Sequence, residues 1–217
     1  MGAPPPGYVQ YGGPAQGSVQ SSRSLSKAMV ILYGLVVAAG ALLAFAFFNR
    51  KGVVDDILNA SGTQSDLDSA DGILGLAVIL QFLAIVASAI LTALWSKRIV
   101  SNAKARGVTG VSTGLAAGGW FIPIGWFFVG FNELRKAVKG VGGVSKSLAL
   151  WQGAFIAQVI VGFFNFNNDD VFLSDPDALD QLNNQALVSL AAVAVLAVAT
   201  FFAAKAAKEI DAAVSGG

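Results

Sequence analysis

Four uncharged apolar segments alternate with charged loops along the chain, and each is long enough to cross a bilayer. They cover residues 28–48, 73–95, 147–166 and 184–204. Because an α-helix rises 1.5 Å per residue, about 20 apolar residues span a hydrocarbon core of about 30 Å. The pattern predicts an all-α integral membrane protein with four transmembrane helices arranged as two hairpins.

The charges between these segments sort by sign. If only the four segments span, twelve of the fourteen lysines and arginines lie on the side of the N-terminus, the exceptions being Arg50 and Lys51. Ten of the thirteen acidic residues lie on the opposite side. Lysine and arginine are enriched in cytoplasmic loops of membrane proteins. The sequence therefore predicts a multi-pass protein of the cytoplasmic membrane with both termini in the cytoplasm.

A fifth apolar stretch, residues 108–131, does not fit this alternation. If it spanned the membrane, the basic residues between 135 and 146 would move outside. Pro123 and the glycines at positions 114, 118, 119, 125 and 130 also weaken it as a helix. Farther on, apolar residues recur at steps of four and three, namely Phe127, Phe131, Leu134, Val138 and Val141. Such an amphipathic pattern is typical of a helix in the membrane interface. We therefore predict a re-entrant or interfacial helical segment over residues 108–140.

The regions outside the membrane domain, which we place at residues 28–213, differ in composition. Residues 1–27 begin with a stretch rich in proline, glycine and tyrosine that predicts a disordered cytoplasmic tail, and residues 214–217 form a second short tail. Residues 5–8 read Pro-Pro-Gly-Tyr, which matches the PPxY pattern bound by WW domains. Chance in a tail of this composition is the alternative explanation. The tail is the predicted site for a protein partner.

The chain has no histidine and no cysteine, which excludes the commonest metal ligand, the commonest general base and any thiol nucleophile. We therefore predict no catalytic, cofactor-binding or metal-binding residue. A net charge of +1 gives no reason to expect a nucleic-acid partner. The basic residues between 97 and 146 predict contact with anionic lipid head groups. Small residues spaced four apart in the spans suit either internal helix packing or a homo-oligomer.

Two polar patterns have competing interpretations. Residues 66–72 resemble a calcium-binding loop, but Asp71 and Gly72 fall one place late and the twelfth position is Ala77. Solvated acids that set the topology are the better interpretation. The glutamines within spans are Gln81, Gln152 and Gln158. Interhelical hydrogen bonds are favoured over substrate contact for these side chains.

Two short motifs resemble a known family. The first runs from Trp95-Ser96-Lys97-Arg98 to residues 102–107, Asn-Ala-Lys-Ala-Arg-Gly, and the second is residues 119–124, Gly-Trp-Phe-Ile-Pro-Ile, followed by Glu-Leu-Arg at 133–135. Both are similar to motifs of a bacterial, mostly actinobacterial, membrane family known as domain of unknown function 4328. The resemblance implies a multi-span membrane protein and no particular activity. It marks a candidate functional segment that comprises Asn102, Trp120, Phe121, Pro123, Glu133 and Arg135.

Three hypotheses for function follow. The first is a non-enzymatic membrane protein that organises or regulates partners through its tail and its basic inner surface. The second is a small channel or carrier that uses the segment containing proline and glycine, because non-helical backbone at membrane depth needs a lining of protein or water. A membrane enzyme ranks last, because the chain has no histidine or cysteine and no span contains a pair of candidate catalytic side chains.

Overall fold

The computed structural model describes residues 18–122, 125–166 and 178–216. Their elements are α1 (Arg23–Leu58), α2 (Gln64–Ala105), α3 (Thr113–Gly118), a 3₁₀ turn (Gly125–Phe127), α4 (Val129–Gly140), α5 (Lys146–Phe166) and α6 (Ala178–Ser215). No strand occurs in these ranges. The all-α prediction is therefore confirmed. Residues 1–17 of the predicted tail lie outside the described residues, and the last residues of the range predicted as tail, 23–27, belong to α1.

Three of the described helices are long and apolar enough to cross a membrane, namely α1, α2 and the part of α6 from Leu179 to Ser215. They are longer than the apolar segments that predict them. At 1.5 Å per residue, the 36 residues of α1 extend for about 54 Å, against about 30 Å for a hydrocarbon core. The helices therefore have polar ends that extend beyond their apolar segments. α5 contains the predicted third span and has 21 residues.

The hairpin between α1 and α2 ends in a capped helix start. The hydroxyl of Thr63 accepts a hydrogen bond from the backbone N–H of Asp66, and the Asp66 carboxylate accepts one from the Thr63 N–H. The hydrogen bonds from the Thr63 hydroxyl and backbone hold the pKa of Asp66 below its usual value. Residues 66–72 are helical and so do not form a calcium-binding loop. This agrees with their interpretation as solvated acids.

Arg50 is one of the two basic residues predicted on the same side of the membrane as most of the acidic residues, and it forms an ion pair with Asp71. Its Nε lies 2.6 Å from Oδ1 of Asp71. The pair joins α1 to α2 near their connecting turn. The carboxylate offsets the charge of Arg50, which explains how this arginine is accommodated among acids.

The helices form an open bundle with α1 between α2 and α6, and with α5 on the other side of α6. In the described residues, no Cα atom of α2 lies within 8 Å of a Cα atom of α5. α3 and α4 pack against α2, and α4 also contacts α5 and α6. The chain leaves α2 through two glycines with positive φ, Gly107 (87°) and Gly110 (73°), a conformation that favours glycine. Since the α3–α4 hairpin contacts both helices, it lies between α2 and α5.

The main hydrophobic core lies at one end of the bundle, where α1 begins and α6 ends. We call this the basic end, because Arg23, Lys97, Lys104 and Lys208 lie there. Its largest fully buried side chains are Trp95, Trp151, Phe131, Met29, Ile99 and Leu134. A much smaller cluster at the opposite end comprises Val54, Leu67 and Leu182. Packing between helices is therefore concentrated at the basic end.

Between these two ends the helices expose apolar side chains, above all on α2. Leu76, Ile79, Phe82 and Leu83 are all more than half exposed. A soluble protein rarely presents so large a contiguous apolar surface. An apolar surface of this kind is the one expected of a helix that contacts lipid, because lipid tails are as apolar as these side chains.

The apolar face of α4 has a different partner from the one its amphipathic pattern predicts. Phe131, Leu134 and Val138 are buried against other helices of the same chain rather than directed toward lipid. Exposed apolar residues of this region include Phe121, Ile122 and Phe128 at the tip of the α3–α4 hairpin and Leu115 on α3. Amphipathicity identifies the face that must be covered but does not identify what covers it.

Candidate functional site at the basic end

Asn102 connects the N-terminal segment to two helices. Its side-chain carbonyl accepts a hydrogen bond from the backbone N–H of Gln20 (2.9 Å). Its amide nitrogen donates to the carbonyl of Gln20 (2.7 Å) and to the hydroxyl of Ser215 (2.9 Å). The Asn102 residue is only 1% exposed. One α2 side chain therefore holds both the chain just before α1 and the last turn of α6.

Asp211 completes this arrangement from α6. Its Oδ1 accepts hydrogen bonds from the hydroxyl of Ser22 (2.6 Å) and from Nε1 of Trp95 (3.1 Å). The hydroxyls of Ser22 and Ser215 lie 2.8 Å apart. We call this group the terminal clamp; its members are Gln20, Ser22, Trp95, Asn102, Asp211 and Ser215. Among these residues the sequence motifs include only Trp95 and Asn102, and the others come together through the fold.

Trp120 is part of the protein interior. It is 6% exposed, its ring stacks on Trp151 at 5.8 Å between centroids, and Phe131 meets it edge-on at 4.9 Å. Its Nε1 donates a hydrogen bond of 3.0 Å to the hydroxyl of Ser96 on α2. Trp120 therefore fixes the α3–α4 hairpin to both α2 and α5.

Trp151 lies at the centre of the aromatic cluster, which we define as Tyr33, Trp95, Trp120, Phe131, Trp151 and Phe155. Rings from α1, α2, the hairpin and α5 meet around it. Its own Nε1 has no acceptor within the described part of the chain. Trp95 belongs to both groups, because its ring lies 6.3 Å from Trp151 while its Nε1 bonds Asp211. The terminal clamp and the aromatic cluster are thus directly connected.

Two glycines let the arms of the hairpin approach closely. A Cβ on Gly130 would lie 2.6 Å from Cε2 of Trp120, and one on Gly119 would lie 2.7 Å from Cγ1 of Val129. Real Cβ atoms do not approach other heavy atoms this closely. From the sequence alone, these glycines are expected to weaken a helix. The structure shows that they also allow the two arms of the hairpin to pack closely.

Glu133 has a structural partner at each carboxylate oxygen. Oε2 accepts a hydrogen bond from the backbone N–H of Ser112 (2.6 Å), and Oε1 forms an ion pair with Nζ of Lys136 (2.7 Å). The residue is 3% exposed, although the amphipathic pattern places it on the polar face of α4. Glu133 is buried because its carboxylate turns to hold Ser112, the residue that caps α3.

Arg135 is exposed and joins α4 to α5. Its guanidinium donates hydrogen bonds to the side-chain carbonyls of Gln152 and Asn132. The amide nitrogen of Gln152 donates in turn to the backbone carbonyl of Phe127. The interhelical bonding predicted for the glutamines therefore occurs at Gln152. It does not occur in the described structure at Gln81, whose Oε1 is buried without a partner.

Glu209 connects the start of α5 to α6 and was not singled out by any pattern. Its carboxylate accepts hydrogen bonds from the hydroxyls of Ser145 and Ser147 and from the Ser147 backbone N–H. It lies past the apolar stretch of α6. Burial raises the pKa of Glu209, but these hydrogen bonds and the charge of Lys205 together hold it below its usual value. The carboxylate is therefore ionised at neutral pH.

The candidate residues are thus distributed over two neighbouring groups. Trp120, Glu133 and Arg135 hold the α3–α4 hairpin, whereas Asn102 belongs to the terminal clamp. Phe121 is 53% exposed at the hairpin tip, and Pro123 lies outside the described residues.

The polar side chains at the basic end connect neighbouring elements of the fold through hydrogen bonds. Glu133, Glu209 and Asp211 each hold donors from a neighbouring element. Among the described residues, no three acidic side chains come together as metal ligands. The groups are arranged to hold the chain segment before α1 against α2 and α6.

Most of the chain matches the model of a known protein family. The family model described as Domain of unknown function (DUF4328) matches residues 59–212. This range includes α2 to the greater part of α6, together with both sequence motifs, while α1 precedes it. No match was found among curated proteins or among solved structures.

Proposed function

The chain belongs to the family described as Domain of unknown function (DUF4328), and we propose that it is a non-enzymatic organising or regulatory protein of the cytoplasmic membrane. In this proposal the N-terminal segment recruits a protein partner. The observation that carries the proposal is the terminal clamp, in which Gln20 and Ser22 are hydrogen-bonded to α2 and α6. The segment that would carry the partner is thereby anchored to the membrane helices.

The clamp gives a physical route between the tail and the bundle. A partner that pulls on residues 1–17 exerts force on Gln20, whose two backbone hydrogen bonds end on Asn102. Through Trp95, the same clamp touches the aromatic cluster that fixes the α3–α4 hairpin. Recruitment and helix packing are therefore coupled, and coupling of this kind is reciprocal in free energy.

The proposed topology has four spans, with α5 as the third in chain order and both termini in the cytoplasm. The basic end then faces the cytoplasm, in agreement with the enrichment of lysine and arginine there. The α3–α4 hairpin enters the inner leaflet, because its exposed tip residues Phe121, Ile122 and Phe128 are apolar. The basic residues between 97 and 146 lie near anionic lipid head groups. The exposed apolar surface of α2 leaves room for a second copy of the chain.

Single-cysteine labelling tests this topology, and the natural absence of cysteine gives a clean background. In intact cells, Lys139→Cys and Lys146→Cys are expected to resist a membrane-impermeant maleimide and to react once the membrane is permeabilised. Ser65→Cys, at the opposite end of α2, is the control and is expected to react in intact cells. Labelling of residues 139 and 146 from outside would contradict the four-span topology.

The coupling between tail and bundle is tested at Asn102. Asn102→Ala removes both bonds to Gln20, so we expect hydrogen exchange at the Gln20 backbone amide, which donates to Asn102, to accelerate by about tenfold or more. Ser101→Ala is the matched control, because Ser101 is exposed on the same helix and makes no side-chain hydrogen bond in the described structure. Equal exchange in both variants would show that Asn102 does not hold the segment.

Recruitment itself is measured separately by proximity labelling. A biotin ligase fused after Gly217 would report neighbours of the basic end, because Ser215 lies beside Ser22. Deleting residues 1–17 is expected to remove specific neighbours that the full chain retains. An unchanged set of neighbours and an unchanged localisation would contradict a recruiting role for the tail.

The channel or carrier remains the second hypothesis, and one observation weighs against it. It requires the Pro/Gly-containing segment to line a path, whereas the Trp120 ring is packed between Trp151 and Phe131. An enzyme ranks third, since Glu133, Glu209 and Asp211 hold structural donors. Flux through reconstituted protein that disappears on changing Trp120 would favour the channel.

A further inference from the structure

A groove of about 670 Å³ lies at the basic end between the start of α1 and the end of α6. Its lining changes character along its length. Near the end of the bundle it is lined by serine hydroxyls and by three basic side chains, Arg23, Lys27 and Lys208. One to two turns toward the middle of the bundle it is lined by Val30, Ile31 and Ala204. The groove therefore has a cationic head and an apolar body.

The three cations converge because of helix periodicity. Arg23 and Lys27 are four residues apart on one face of α1, and Ala204 and Lys208 have the same spacing on the facing side of α6. Within the described part of the chain, none of the three cations forms a hydrogen bond or an ion pair. Side chains that converge on one groove without an anionic partner favour an anionic ligand.

One carboxylate also borders the groove, and it is already engaged. Oδ1 of Asp211 accepts hydrogen bonds from Ser22 and Trp95 within the terminal clamp. Three cations against one carboxylate leave an excess of positive charge. The chain's own residues 1–17 carry no charged side chain and so cannot neutralise it.

We propose that this groove binds one anionic glycerophospholipid. The phosphate lies among Arg23, Lys27 and Lys208, and one acyl chain runs along Val30, Ile31 and Ala204. Charge complementarity selects the head group, and the apolar body selects a lipid over a free phosphate. The proposed site is distinct from the exposed basic surface at residues 97–146. It requires membrane insertion of α1 and α6 but does not depend on the recruiting role of the tail.

Native mass spectrometry of the full chain in detergent tests the site, with dioleoyl phosphatidylglycerol as the probe and dioleoyl phosphatidylcholine as the neutral comparison. The variant Arg23→Gln/Lys27→Gln/Lys208→Gln is expected to bind phosphatidylglycerol about tenfold or more weakly, since each basic residue near a lipid surface contributes measurably. The matched control is Lys97→Gln/Lys104→Gln/Lys139→Gln, which removes the same charge from exposed positions outside the groove. It is expected to weaken binding less than about threefold.

A second variant separates a lipid from a free anion. Ala204→Phe fills the apolar body without changing any charge, and it is expected to weaken phosphatidylglycerol binding by about fivefold or more. Glycerol phosphate, which has the anionic group but no acyl chain, is expected not to displace the bound lipid. Equal losses in the two charge variants, full binding by Ala204→Phe, or displacement by glycerol phosphate would each overturn the proposal.

Discussion

Replacing Trp151 with alanine is expected to lower the free energy of unfolding by about 3–5 kcal/mol, the cost typical of truncating a buried aromatic side chain. The Trp151 residue is 0% exposed and is surrounded by rings from α1, α2 and the α3–α4 hairpin. Its loss would open a cavity that four separate elements border. Unfolding of the purified chain in mixed micelles, followed by circular dichroism against increasing dodecyl sulfate, measures the change.

The control for Trp151→Ala is Trp151→Phe, which keeps a ring in the same place. It also removes an Nε1–H group that has no acceptor within the described part of the chain. Removing a buried donor that lacks a partner carries no hydrogen-bond penalty. We therefore expect less than half of the alanine loss. Equal losses for phenylalanine and alanine would show that the aromatic contacts of the ring are not what stabilises the basic end.

Gly130→Ala is expected to destabilise the chain by about 2–3 kcal/mol, a cost typical of overpacking. The new methyl group would lie 2.6 Å from Cε2 of Trp120. The ring cannot move aside easily, because it stacks on Trp151 and its Nε1 bonds Ser96. The same unfolding experiment gives the magnitude. Near-ultraviolet circular dichroism reports the displacement of the tryptophan ring.

Gly118→Ala is the matched control for Gly130→Ala, with an expected effect of opposite sign. Gly118 lies in α3, and a Cβ added there would meet nothing within 4 Å. Alanine is favoured over glycine inside a helix by about 1 kcal/mol. We therefore expect unchanged or increased stability. A loss at Gly118 as large as that at Gly130 would mean that the hairpin tolerates no substitution, and that contact with Trp120 is not the cause.

Gly118 and Gly130 show which properties of the α3–α4 hairpin can be predicted from the sequence and which cannot. In the sequence, Gly118 and Gly130 are equivalent, since each weakens a helix by a similar amount. Only the structure distinguishes them, because one faces open space and the other faces Trp120. Glu133 gives a second example. It belongs to the polar face of an amphipathic helix, and only the structure shows that it is buried and bonded to Ser112.

The sequence by itself determined the helical class, the apolar segments, the charge asymmetry and the family. These properties depend on the local order of residue types, since hydropathy and helix periodicity act over a few turns. It also marked Asn102 and Trp120 through short motifs. Only the tertiary structure decided that Asn102 holds Gln20, that Asp211 joins Ser22 to Trp95, and that Arg23 and Lys208 border one groove. The reason is physical: these groups lie 82 to 189 positions apart in the chain, and only helix packing brings them together.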